Sequence, residues 1–96
     1  MQLKSDGYIV QDYEGYAIYG IGSTEDEAWA DTVDNVGTFF DDYGNTITAQ
    51  EARDTQFTIY PATAALLDQV DAEGGAITWG NVDGIACTGE EEDANV

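Results

Sequence analysis

The side chains able to do chemistry in this chain are nearly all carboxylates: 20 Asp and Glu stand against two basic residues, one cysteine and no histidine. Without histidine there is no Ser–His or Cys–His nucleophile and no imidazole-ligated metal. The sequence holds no P-loop, no glycine-rich dinucleotide turn after a strand and no cysteine cluster for zinc. Lys4 and Arg53 alone cannot clamp phosphates. Neighbouring carboxylates are what remains for catalysis: Asp12 with Glu14, or Asp41 with Asp42, as general acid and base. Among 20 acids some neighbours arise by chance, so an enzyme is not expected. The run Asp41-Asp42-Tyr43-Gly44-Asn45 offers hard oxygen ligands but lacks the spacing of an EF-hand loop, so neither a dedicated metal site nor a cofactor is expected. Cys87, in the run Gly84-Ile85-Ala86-Cys87-Thr88, reads as a small buried hydrophobe, because a reactive thiol needs a nearby cation.

The formal net charge is −18, so most carboxylates have no salt-bridge partner. Such self-repulsion destabilises a compact state, and far less charge suffices for solubility. Two causes fit: a basic partner that neutralises the charge, or a high-salt cell that screens it. Direct binding of nucleic acid is excluded by the sign of the charge. The apolar share of 43 %, with two Trp, three Phe and six Tyr, is enough for one core, and 96 residues make one domain. No run approaches the roughly 18 apolar residues of a membrane span. The start, Met1-Gln2-Leu3-Lys4, lacks the apolar stretch of a signal peptide. A cytoplasmic protein is expected, and the lone cysteine agrees with a reducing compartment.

The elements that must position these carboxylates follow from local patterns. Tyr8–Tyr13 and Tyr16–Ile21 read as a hairpin around Glu14-Gly15, with apolar residues on both faces. Thr24 and Glu27 form a capping-box pattern, and Trp29, Val33 and Val36 give a helix one buried stripe before Gly37 stops it. From Thr38 to Thr55 the pattern weakens; Phe39-Phe40 anchors the segment, and Thr48 with Glu51 caps one helical turn through Arg53. Gln56–Tyr60 alternates as a strand with Phe57 and Ile59 inward, and Pro61 is expected to start a second helix that Gly74-Gly75 ends. Ala76–Trp79 and Ile85–Thr88 then flank a longer loop, Gly80–Gly84. The expectation is an α+β domain over residues 1–89: a mainly antiparallel sheet of about five strands with two helices, in the order β-β-α-β-α-β-β. Residues 90–96 are expected to form an acidic disordered tail.

The placement of the acids indicates where a partner would bind. Glu27, Asp31 and Asp34 recur at i, i+4 and i+7 on the first helix, a line with steps of roughly 5–6 Å. That is comparable with phosphates along one nucleic-acid strand. Asp41 and Asp42 extend the line past the helix end, and Asp68 and Asp71 share a face of the second helix as a separate patch. Asp71 and Glu73 fall in a last turn, where the helix dipole disfavours anions. Tyr13, Tyr16, Tyr19 and Tyr43 are candidate aromatic anchors beside these charges.

In length, acidity, α+β pattern, aromatic-rich strands and lack of catalytic groups, the chain resembles small phage and mobile-element inhibitors, including DNA mimics and anti-CRISPR proteins. The resemblance is one of type and carries no motif-by-motif correspondence. It implies a basic nucleic-acid-binding protein or CRISPR effector subunit as partner, blocked where target DNA would bind, in the host cytoplasm. Two other readings compete. Abundant acids and scarce lysine also suit a halophile-adapted protein, for which carboxylates should be spread evenly over the surface. A homodimer through a sheet edge is the third.

Overall fold

The structure, a computed structural model, describes residues 3–12 and 17–94. The aromatic and β-branched residues at the start of the chain form β1 (Gly7–Asp12) and β2 (Ile18–Gly22), an antiparallel pair. A bulge lies between Val10 and Gln11 in the register: Val10 faces Gly20, and Gln11 faces Ile18. The extra residue, Tyr19, thereby shares the face of Val10. The expected Glu14-Gly15 turn, with Tyr13 and Tyr16, lies outside the described residues. Helix α1 (Glu25–Val36) begins as its caps predict. The Thr24 hydroxyl accepts from the Glu27 N–H at 3.1 Å, and Gly37, at φ 84°, closes the helix with its N–H on the Val33 carbonyl.

The next segment holds more structure than its weak pattern suggests. Phe39–Phe40 (β3) and Thr46–Ile47 (β4) pair as a short antiparallel ribbon. The single turn expected through Arg53 is a full helix, α2 (Ala49–Gln56), with Thr48 as its N-cap. Its one buried residue is Ala52, so almost no hydrophobic periodicity announced it. Strand β5 (Phe57–Ala62) follows at once and contains Pro61, which was expected to open a helix. Pro61 pairs with Tyr8 on one side, while β5 meets its other neighbour only at Ala62, so the missing N–H is tolerated near the strand's end. The helix, α3 (Ala64–Glu73), starts instead at Thr63, whose hydroxyl accepts from the Leu66 N–H.

The last hairpin is tighter than expected. Strands β6 (Trp79–Val82) and β7 (Ile85–Thr88) are joined by Asp83-Gly84, at φ 54° and 87°. Two consecutive positive φ values are the mark of a type I′ turn, whose twist matches that of paired strands. Residues 80–82 are therefore strand rather than loop. The expected disordered tail is also corrected: Gly89–Ala94 forms helix α4. Thr88 and Glu91 cap it reciprocally, the Glu91 N–H donating to the Thr88 hydroxyl and the Thr88 N–H to the Glu91 carboxylate, both at 3.1 Å. The described residues thus carry four helices, not two.

The five-stranded sheet runs β2-β1-β5-β7-β6. All its pairings are antiparallel except β5 with β7, which the α3 crossover makes parallel. Both faces are covered, as the mixed apolar pattern of β1 requires. Ile9 points to a core with Ile18, Leu66 of α3, Trp79 and Ala86; Val10 points to the other, with Trp29 of α1, Ala52 of α2, Phe39 and Phe57. Trp29 stacks on Phe39 at 5.5 Å between centroids, and Phe57 meets Trp29 edge-on at 5.3 Å. Helix α1 lies against the backbone of β2: a Cβ at Gly20 would collide with the Ala28 carbonyl and Thr32. Cys87 is fully buried, as expected; burial first, then the charges of Glu91 and Glu92, push its thiol pKa up.

Candidate protein-binding surface

Carboxylates that look alike in sequence divide into two sets in the structure. The first set is occupied by the fold itself. Asp31 is half-buried, and its Oδ2 accepts from the Ile21 N–H at 3.0 Å, on the free edge of β2. Asn35, one turn on, donates to the Tyr19 carbonyl at 2.8 Å, and the Ile18 N–H donates to the Gly75 carbonyl at 2.9 Å. These contacts stand where a neighbouring strand would. At the opposite edge Glu92 of α4 accepts from the Asn81 N–H of β6 at 3.1 Å and lies directly over Gly80. Glu91 accepts from the Thr63 hydroxyl at 2.6 Å as well as capping α4, tying that helix to the start of α3. An edge-to-edge dimer would have to displace one of these covers.

The second set makes no side-chain hydrogen bond or ion pair among the described residues. It includes Asp34, Asp42, Asp68 and Asp71, all exposed. Glu27 is intermediate: it is exposed but accepts from the Ser23 N–H at 3.1 Å. Among the described residues there is one ion pair, Arg53 with Asp26 at 3.2 Å, and the Asp26 side chain is 90 % exposed. The expected line Glu27–Asp31–Asp34 is therefore interrupted at its centre, where Asp31 is committed to the sheet edge. Asp68 and Asp71 lie on α3, across the sheet from α1, so the seven candidate residues do not form one continuous surface.

Asp41 and Asp42 belong to a different feature. The β3–β4 connection is a tight loop in which the Asp41 carboxylate accepts from the Tyr43 and Asn45 N–H groups, both at 2.9 Å, and from the Asn45 amide. These backbone donors, led by Asn45, hold its pKa below the usual carboxylate value. The Phe40 carbonyl accepts from the Gln56 amide at 2.6 Å, which pins the ribbon to the end of α2. Between ribbon, α2 and β2 runs an open groove of about 730 Å³. Its carboxylates are Asp12, Asp41, Asp42 and Glu51, and neither Lys nor Arg lines it. The Asp12 carboxylate accepts from the Tyr19 hydroxyl at 3.2 Å; burial, then Asp12 itself, raise the Tyr19 pKa.

Phe40 and Tyr43, 52 % and 90 % exposed, are the exposed large hydrophobic side chains of the described residues; the first ends β3 and the second lies in the loop that follows it. Tyr43 was expected as an anchor; Phe40, Asp12 and Glu51 were not expected here. A signal for Phe40 existed: in a two-residue strand Phe39-Phe40 must send one ring inward and the other out. Of the other tyrosines named as anchors, Tyr19 is half-buried in the core, packed edge-on against Phe57. No helix among the described residues is long and apolar enough to cross a membrane. In comparisons with known proteins, no family model, no curated protein and no solved structure matches this chain.

Proposed function

We propose that this is a non-enzymatic inhibitor that binds a basic, nucleic-acid-binding surface of another protein, presenting carboxylates where that surface normally receives phosphates. The observation that carries this reading is the set of exposed carboxylates that folding does not use. Asp34, Asp42, Asp68 and Asp71 make no side-chain hydrogen bond or ion pair among the described residues, and Asp71 stands at the unfavourable end of its helix. A partner rich in Lys and Arg would neutralise them, and long-range attraction would speed encounter. Following the resemblance of type, a CRISPR effector at its target-DNA channel is the partner class we favour.

The test is capture of partners from a host lysate by the tagged chain, at about 0.1 M and about 1 M salt, where the Debye length falls from roughly 10 Å to 3 Å. One nucleic-acid-binding complex, held at low salt and released by competing DNA, is the expected result. A protein that stays folded and captures no such complex at low salt counts against the reading.

One observation favours a second reading. Free carboxylates stand on both sides of the sheet, Asp34 and Asp42 on one and Asp68 and Asp71 on the other, which is the distribution that halophilic adaptation requires. Under that reading the fold itself is lost at low salt, whereas an inhibitor working in an ordinary cytoplasm stays folded there. Circular dichroism across a salt series separates the two.

A further inference from the structure

We infer that the groove beside the β3–β4 loop is where the partner docks, and that its occupant is an arginine-bearing segment of that partner, held between the groove's carboxylates and the ring of Phe40, with the exposed ring of Tyr43 on the adjoining loop. This inference rests on the basic-partner reading above and adds to it a site and a side-chain preference.

Three observations lead there. First, Phe40 and Tyr43 are exposed, although the same ribbon buries Phe39 at 5 % exposure, so burial was available in this region and these two rings did not receive it. Second, the ribbon and loop that carry them are held in place. Asp41 accepts from two backbone N–H groups, the Asp41 N–H donates to the Asn45 carbonyl at 2.9 Å, and Gln56 holds the Phe40 carbonyl. Rings presented on a fixed loop lose little conformational entropy on binding, which is the property of an anchor. Third, the charge is one-sided: the groove is lined by Asp12, Asp41, Asp42 and Glu51, and the nearby Arg53 is ion-paired to Asp26.

Arginine fits this combination better than lysine. Its planar guanidinium stacks on an aromatic ring, forks onto a carboxylate and sheds water more readily than an ammonium group. Free carboxylates elsewhere, such as Asp68 and Asp71 on α3, have no exposed ring among the described residues of their helix and should not distinguish the two cations.

The experiment titrates the full chain, at low salt, with a short peptide alternating Arg and Gly and with its Lys counterpart, and follows backbone amide shifts. The expected result is a preference for the Arg peptide of about threefold or more. Shifts should be concentrated at Phe40–Asn45 and along α2. Tyr43→Ala, at a position too exposed to matter for folding, should weaken the Arg peptide several-fold. Phe40→Ala with Tyr43→Ala should weaken it about tenfold and abolish the preference. Equal binding of both peptides, with shifts spread over α1 and α3, would overturn the groove while leaving the basic-partner reading intact. Failure of both peptides to bind at low salt would overturn both.

Discussion

Helices α1 and α3 lie on opposite faces of one sheet, and each carries a series of carboxylates. On α1 all the acids but Asp34 work for the fold. Glu25, Asp26 and Glu27 occupy the first turn, where the helix dipole favours them, and Asp31 closes the edge of β2. On α3 there is no acid in the first turn and no base in the last; Asp71 and Glu73 sit where the dipole opposes them, and Asp68 and Asp71 make no side-chain hydrogen bond or ion pair among the described residues. The same side-chain chemistry thus stabilises one helix and burdens the other. Charge that folding explains says nothing about a partner. The carboxylates left for the proposed partner are therefore those of α3, Asp34 and the β3–β4 loop, rather than the full α1 line.

The sharpest way to break this contrast is at the contact between α1 and β2. Gly20→Ala puts a methyl group against the Ala28 carbonyl and Thr32, a backbone contact that cannot yield by side-chain rotation. Chemical denaturation should show a loss of about 3 kcal/mol.

Next comes the pair Asp31 and Asp34, three residues apart on one helix. Asp31→Ala leaves the Ile21 N–H without its acceptor and should cost about 1–3 kcal/mol, with Asp31→Asn recovering much of it because an amide oxygen still accepts. Asp34→Ala should stay within about 0.5 kcal/mol. Equal costs for the two alanines in the same denaturation assay would erase the distinction between structural and free acids.

A third variant probes the opposite sheet edge. Thr88→Ala removes the α4 cap and should cost about 1 kcal/mol. Hydrogen exchange should then quicken at Asn81, whose N–H the Glu92 carboxylate holds. On α3 the sign reverses: Asp71→Lys with Glu73→Lys should stabilise the chain, by roughly 0.3–1 kcal/mol per site, while weakening a basic partner. A melting curve beside the capture assay reads both effects.

The smallest effect concerns Asp41. Its folded pKa is lowered, so its contribution to the loop is complete above the ordinary carboxylate range and is lost as pH falls through the lowered value. The Tyr43 and Asn45 amide shifts should titrate with a midpoint below 3.8. A midpoint at or above that value would mean the loop is not held by this carboxylate.

Much of this molecule is legible residue by residue. The α1 cap and stop, strands β1, β2, β5 and β7 in outline and the buried Cys87 follow from patterns a few residues long, whereas β6, expected at Ala76–Trp79, forms at Trp79–Val82. The misses have local physical causes too. Pro61 satisfies both a helix start and the end of a sparsely paired strand, and Asp83-Gly84 is a I′ turn signal hidden inside a longer run of turn-forming residues. The Thr88–Glu91 box was masked by the acidic composition around it, which reads as disorder when no packing partner is in view.

By itself, then, the sequence determined the charge, the shortage of cations, the class of fold and the starts of α1 and α2, because capping and periodicity act within three or four residues of one another. Only the tertiary structure decided which acids are free. Asp31 meets an N–H ten residues before it in the chain, Glu92 one 11 residues before it, and Glu91 a hydroxyl 28 residues before it. Helices docking against the paired strands brought those groups together, and no local pattern distinguishes a carboxylate that will find such a donor from one left in water.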